Sequence, residues 1–338
     1  MSDKNAHKNR RKYLENYAEP EVKALHSLFE SSFDSSFELS GLKQNVFKKD
    51  TYKHVIVIPA YKESDDFLNR FLVSTLAQKN VLMIVVINQP DTESDTLPQQ
   101  LLHQAICQHG EFIWQEQYLN LVQLNNSNCH VLLVDRFTTP IPQEQGVGLA
   151  RKLGVDIAVA LYDKGAICTP WFHSTDADTT LPDNYFDALE KVNNDAVAVC
   201  YNFHHHSDNL EVHQANQQYE RALRYYVAGL RYAGSDYAFF TIGSILAFKV
   251  TQYCMVRGFP KRSAGEDFYL LNKIRLKSII IYSVNALIFI QIISGIVMFY
   301  FNFPFSTQPI HLLLSTIIVG LQFYFLMLYN TKSNEVKI

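Results

Sequence analysis

The chain lacks most of the compositional marks that narrow function quickly. Its 338 residues hold five cysteines (Cys107, Cys129, Cys168, Cys200, Cys254) and no C-x-x-C pair. An odd, unpatterned set excludes a disulfide frame and reads as buried thiols in a reducing compartment. Neither charge dominates: Lys+Arg 30 against Asp+Glu 33 leaves −3. That balance gives no basic footprint for nucleic acid and no acidic tail. The polar start, Met1 to Lys12, contains no apolar core, so no signal peptide is expected. No internal repeat is visible. The only glycine-rich candidate for cradling phosphate, Gly146-Val-Gly148, lacks a third glycine. It also stands about ten residues from its strand, which excludes a dinucleotide-binding oxidoreductase site.

Charge is missing altogether from two stretches near the C-terminus, Ile279–Phe301 and Ile310–Tyr329. At a helical rise of about 1.5 Å per residue each reaches roughly 30 Å, the thickness of a bilayer core. Asn285, Gln291 and Gln322 keep a pair of buried soluble helices in contention, but soluble helices seldom lack a polar face for so long. Lys273, Arg275 and Lys277 precede the pair, Lys332 and Lys337 follow it, and the connector 302–309 is uncharged. By the positive-inside tendency, both ends face the cytoplasm. The expectation is a multi-pass protein of the inner (cytoplasmic) membrane with a transmembrane hairpin over 278–331, a cytoplasmic tail over 332–338, and residues 1–275 in the cytosol.

Residues 1–50 read as an N-terminal helical arm, amphipathic through Tyr13, Leu14, Tyr17, Val22 and Leu25, that packs on the next domain without chemistry of its own. Residues 51–277 then alternate strand and helix. His54–Pro59 and Val81–Ile87 are continuous apolar runs, as buried parallel strands require, and Val131–Val134 is a third. Helical spacing covers Asp65–Lys79, Leu97–Gln117 and 146–161; Trp171-Phe172 and Ala196–Tyr201 supply further strands. The alternation implies an α/β domain, a mostly parallel sheet flanked by helices, with ligands beyond the carboxyl ends of the strands. The turns at 59–63, 88–95 and 174–178 should therefore gather along one edge.

The most telling of these turns is His173-Ser-Thr-Asp176-Ala-Asp178. Two carboxylates one residue apart can share a cation only at a sharp turn or when one reaches it through water. Oxygen ligands of that kind suit Mg²⁺ or Mn²⁺, which keep positions free for substrate phosphates. Three consecutive histidines, His204-His205-His206, point to alternate faces of an extended chain and cannot all reach one ion, so a zinc site is not expected there.

Five segments, in order, resemble family 2 glycosyltransferases of the GT-A fold. They are Val57-Ile-Pro59-Ala-Tyr61-Lys-Glu63, Asn88-Gln-Pro-Asp91, Gly148-Leu-Ala-Arg151-Lys-Leu-Gly154, Asp176-Ala-Asp178 and Gly265-Glu266-Asp267. The resemblance spans residues 54–275. It implies inverting transfer of a sugar from a nucleotide-diphosphate donor to a hydroxyl, assisted by Mn²⁺ or Mg²⁺. It places Pro59, Tyr61, Glu63 and Asp91 at the nucleoside, Asp176 at the ribose or the metal, and Asp178 on the metal. Asp267 becomes the base, with Glu266 raising its proton affinity by like-charge repulsion. Each role has a plainer rival. Glu63 suits a helix start, Asp91 suits a turn, and Glu266-Asp267 suit the cap of the helix that follows. Arg151 could fork onto a phosphate or pair with a turn carboxylate.

The Gln-x-x-Arg-Trp signature of processive members is absent, since Arg275-Leu-Lys277 runs almost directly into Ile279 and both tryptophans, Trp114 and Trp171, lie earlier. Addition of a single sugar to a lipid-linked or other membrane-near acceptor is the expectation. Two further readings stay open: a nucleotide-sugar-binding or scaffold protein without turnover, and a nucleotidyltransferase built on a similar sheet.

Overall fold

A computed structural model describes residues 3–25, 51–300 and 307–330. The remainder of the expected arm (26–50) and the expected tail (332–338) lie outside the described residues. The chain divides into two compact units at Leu271/Asn272.

The first unit is built on an eight-stranded sheet in the order β3-β4-β5-β2-β1-β6-β8-β7. Its strands are β1 (His54–Ala60), β2 (Val81–Pro90), β3 (Gly110–Glu116), β4 (Leu119–Leu124), β5 (His130–Ile141), β6 (Trp171–Ser174), β7 (Ala198–Cys200) and β8 (Leu246–Lys249). The centre, β5-β2-β1-β6, is parallel. Both ends are antiparallel, β3-β4 on one side and β8-β7 on the other. The sheet is therefore mixed, with its parallel part confined to the strands that carry the site.

Continuous apolar sequence makes β1 and β2 buried on both faces, and every residue from Val55 to Ala60 and from Val81 to Gln89 is buried. On one face Ile56, Ile58, Met83 and Val85 meet Phe67, Leu68 and Phe71 of α2 (Asp66–Leu72) and Leu102 and Ile106 of α3 (Leu97–Gln108). The long helix α4 (Gly146–Asp163) is buried along nearly its whole length.

One expected helix is corrected. The spacing over Leu97–Gln117 suggests a single helix, but the helix ends at Gln108 and Gly110–Glu116 pairs antiparallel with β4. Helical and strand periods both fit this stretch. The hairpin partner and the left-handed Gln117 (φ 48) at the turn decide for strand.

The described arm consists of α1 (Asp3–Asn16) and a 3₁₀ turn, Pro20–Leu25. Tyr13 is buried and donates to Asp156 Oδ1 on α4 at 2.5 Å. Asp156 also accepts from Tyr253 (3.1 Å), from Lys152 Nζ (2.6 Å) and from the Glu19 backbone N–H (2.9 Å). Burial pushes the Asp156 carboxyl up, and Lys152, Tyr13 and the Glu19 N–H oppose the shift. Tyr13→Phe leaves this buried group short of one donor. It should lower unfolding free energy by about 1–3 kcal/mol in urea titration.

Strand β8 is followed by α6 (Val250–Met255); ahead of it, α5 (Leu210–Tyr232) exposes most of its length. The last two helices are α7 (Glu266–Tyr300) and α8 (Thr307–Asn330). Within the second unit, Gln291 Nε2 meets His311 Nε2 (2.9 Å) and donates to Ser315, and Ser294 Oγ meets His311 Nδ1 (2.7 Å). The polar side chains thus face one another between α7 and α8, while Phe289, Ile292, Phe299, Leu312, Leu313, Val319 and Phe323 are exposed. Among the described residues, no helix is long and apolar enough to cross a membrane. The two transmembrane spans expected from the sequence are therefore not features of the described structure. Parts of both apolar runs, including the side chains of 279–282 and 325–329, lie outside the described residues.

Candidate functional site

Parallel pairing of β1 with β2 and β6 brings their carboxyl ends to one edge. Val57 pairs with Ser174, and the Thr175 N–H donates to the Val57 carbonyl at 3.1 Å, so the acidic turn runs beside the carboxyl-terminal half of β1. A cleft of about 530 Å³ opens there. Its walls include Pro59, Tyr61, Glu63, Arg151, Asp176 and Asp178, residues singled out from the sequence, together with Asn88, Gln143 and Ser263.

Arg151 organises the site. It lies one turn into α4, 3% exposed. Its Nε donates to Glu266 Oε1 (2.9 Å), Nη1 to Ser174 Oγ (2.7 Å) and to the Thr175 carbonyl (3.5 Å), and Nη2 to Asp176 Oδ1 (2.5 Å). Of the two roles open for it, the described structure displays pairing with the turn carboxylate. Its planar fork matches this job because each donor reaches a different acceptor in one plane. Gly243 lies against the guanidinium: a Cβ there would sit 2.4 Å from Nη2. Glu266, 4% exposed, is the buried counter-ion, and burial pushes its carboxyl up despite Arg151.

Three carboxylates face the cleft. Burial, then the charges of Asp178 and Asp176, pushes the half-buried Glu63 carboxyl up. Like charges this close favour a cation or proton donors between them. Asp178 is exposed, and Asp176 keeps one oxygen beyond its bond to Arg151. Among the described residues no three His, Cys, Asp or Glu side chains form a group able to hold a metal by themselves.

Asp267 opens α7, where its Oδ1 accepts the Phe268 N–H at 2.6 Å. Burial pushes its carboxyl up; that N–H and Arg151 pull it down, and Asp176 adds to the rise. The Asp267 charge also reinforces burial in pushing the Cys200 thiol up to about 12. Asp267 therefore lies within electrostatic reach of the Arg151–Asp176 pair, although it is not among the residues that line the cleft.

Asp91 is placed differently. Its Oδ1 accepts the Gln143 N–H (3.1 Å) and its own N–H donates to the Ile141 carbonyl (2.9 Å), joining two loops beside the cleft. Tyr61 and Lys62 both bond to Glu93, and Lys62 takes a left-handed backbone (φ 56). His173 belongs to the core: it is 1% exposed, ringed by Tyr185, Phe186 and Tyr201, and burial pushes it down to about 3, hence neutral. His204–His206 lie in an irregular segment beyond β7, where the His205 N–H donates to Glu220 Oε2 at 2.9 Å.

Ser263 and Arg70 escaped sequence reasoning, and Asn88 was legible only as a member of its turn, with no role of its own. Asn88 is 7% exposed and its Oδ1 has no partner, although the side chain lines the cleft. Ser263 enters from a loop that crosses the start of α4, where the Gly148 N–H donates to the Arg262 carbonyl (3.0 Å). A Cβ on Gly148 would sit 2.5 Å from the Pro260 carbonyl oxygen. The Gly-Val-Gly run thus admits this loop, a role legible only once the loop is in place. Arg70 donates to the Ala177 carbonyl (2.9 Å) from beneath the acidic turn. Compared with known proteins, the chain matches no family model and no curated protein.

Proposed function

We propose that the chain is a metal-assisted, inverting glycosyltransferase of GT-A type that adds one sugar from a nucleotide-diphosphate donor to a hydroxyl acceptor. The observation that carries this reading is the grouping of Glu63, Asp176 and Asp178 in one cleft at the ends of parallel strands, with Asp267 within electrostatic reach of Asp176. Ligands of such sheets bind at this edge. The unpartnered Asn88 Oδ1 suits a donor N–H or O–H on a nucleoside.

The donor set fits a hard cation: every candidate ligand is a carboxylate oxygen, and Mg²⁺ or Mn²⁺ commonly takes one or two carboxylates plus phosphates. Asp178 and the outer oxygen of Asp176 would hold it, and when bound it would neutralise charge on the departing diphosphate. Asp267 accepts the proton of the acceptor hydroxyl as that oxygen forms its bond to the anomeric carbon. The bond from that carbon to the diphosphate oxygen breaks, and the electron pair leaves with the diphosphate. Arg151, through Asp176, holds the turn still during the exchange. The exposed apolar side chains of the last two helices, with polar groups turned inward, favour an acceptor at a membrane.

Thermal-shift titration with a panel of nucleotide sugars, with and without Mn²⁺, tests the reading. Stabilisation should require the metal, vanish in EDTA and be lost in Asp178→Ala. Full turnover in EDTA removes the metal; no response to any nucleotide sugar removes the function. Binding without turnover is the second reading, favoured by the complete engagement of Arg151 with protein acceptors. Failure to release nucleoside diphosphate across a broad acceptor panel would select it.

A further inference from the structure

The acidic turn is held from two sides. Arg151 grips it from the cleft through Asp176, Ser174 and the Thr175 carbonyl. On the other side lies a small cavity of about 40 Å³, lined by Arg70, Ser74, Thr175, Asp176, Thr179 and Thr180 over an apolar floor that includes Ile58 and Phe67. Asp176 lines both this cavity and the cleft.

Two polar atoms at this cavity have no partner. One is Oγ1 of Thr175, a residue 1% exposed; the other is Arg70 Nε, on the side chain whose Nη2 already donates to the Ala177 carbonyl at 2.9 Å. A buried hydroxyl and a buried guanidinium N–H left without partners are costly. A water needs roughly 10–15 Å³ and two to four polar neighbours, which this cavity exceeds in room and meets in chemistry. An anion is disfavoured because Asp176 shares the wall.

We infer that the cavity is a water site, and that Arg70 is a positioning residue for the Asp176–Asp178 turn. It acts on the Ala177 carbonyl directly and on Thr175 through water bridging Nε and Oγ1. Ala177 lies between the two acids, so fixing its carbonyl fixes the direction in which both carboxylates leave the backbone. The metal-related half of this inference rests on the proposed function; the water bridge stands apart from it.

Two measurements on the full chain test it. The first is the sign of the Tm change in Thr175→Val. Loss of a bridging water should lower Tm by about 2–4 °C, with Thr175→Ser restoring it. A Tm that stays level or rises means the hydroxyl was bonded to nothing, which overturns the bridge. The second is Mn²⁺ affinity, followed by electron paramagnetic resonance in the presence of UDP as probe. Arg70→Met should weaken it about tenfold, as loss of a group that orients a metal ligand does. Arg70→Lys should restore part of the loss, and metal-free UDP binding should not change. Unaltered Mn²⁺ affinity in Arg70→Met overturns the positioning role. If wild type takes up no Mn²⁺ with UDP, the proposed function and the metal-related half fall together, and the Tm comparison still decides the bridge.

Discussion

Replacing Arg151 by methionine should lower unfolding free energy by about 3–5 kcal/mol, the cost of leaving a buried charge without its partner. The side chains concerned are shielded from solvent, 4% exposed for Arg151 and 6% for Glu266, so the figure needs no discount for screening. Asp176 contributes less, because its side chain is 38% exposed and water can replace the guanidinium. The pH dependence identifies the cause. The Glu266 carboxyl is already pushed up by burial, and losing Arg151 pushes it further. A group whose folded pKa is raised favours the folded state below its unfolded pKa, and that contribution is lost as pH rises through the folded value. The deficit of Arg151→Met should therefore widen from acid towards neutral pH. Arg151→Met/Glu266→Gln should recover much of it, since the amide carries no charge. Urea denaturation across that pH range measures both. A loss below about 1 kcal/mol, the range of an exposed pair, would remove Arg151 as the organiser of the site.

Asp267→Asn should reduce turnover by about 10²–10⁴-fold, the usual contribution of a positioned base, while donor and metal binding persist. The amide keeps the shape and can still accept the Phe268 N–H, so the helix start should hold. The wild-type rate should rise with pH through a carboxyl that burial has lifted above its ordinary range, because only the ionised form takes the proton. Stability linked to the same group runs the opposite way, strongest in acid and lost as pH rises through the folded value. Opposite slopes for rate and stability would mark one group at work in both. Turnover equal to wild type would clear Asp267 of the role and leave it as a helix-start acid.

Much of the architecture was legible because its causes are local. Apolar runs such as Val55–Ile58 and Val81–Ile87, short, rich in β-branched residues and bounded by turn residues, suit strands buried on both faces, and the parallel order of their carboxyl ends then gathers the turns. Gly110–Glu116 was misread because helical and strand periods both suit it, and only pairing with β4 breaks the tie. Pro59, Tyr61, Glu63, Asp176 and Asp178 were found through the motifs at β1 and β6, Pro59 within β1 and the others in the turns beyond these strands. Arg70, Ser263 and Gly243 were not, since nothing within a few residues of any of them indicates its partner; Asn88 was legible only as part of its turn.

What the sequence alone determined is therefore the alternation of elements and the edge at which chemistry-bearing turns collect. Only the tertiary structure decided what Arg151 does. Its acceptors Glu266 and Asp176 lie 115 and 25 positions away along the chain, and either a phosphate or a carboxylate satisfies its fork equally well. Local patterning reports how a segment buries its own apolar face; a side chain's partner depends on which distant segment folds against it.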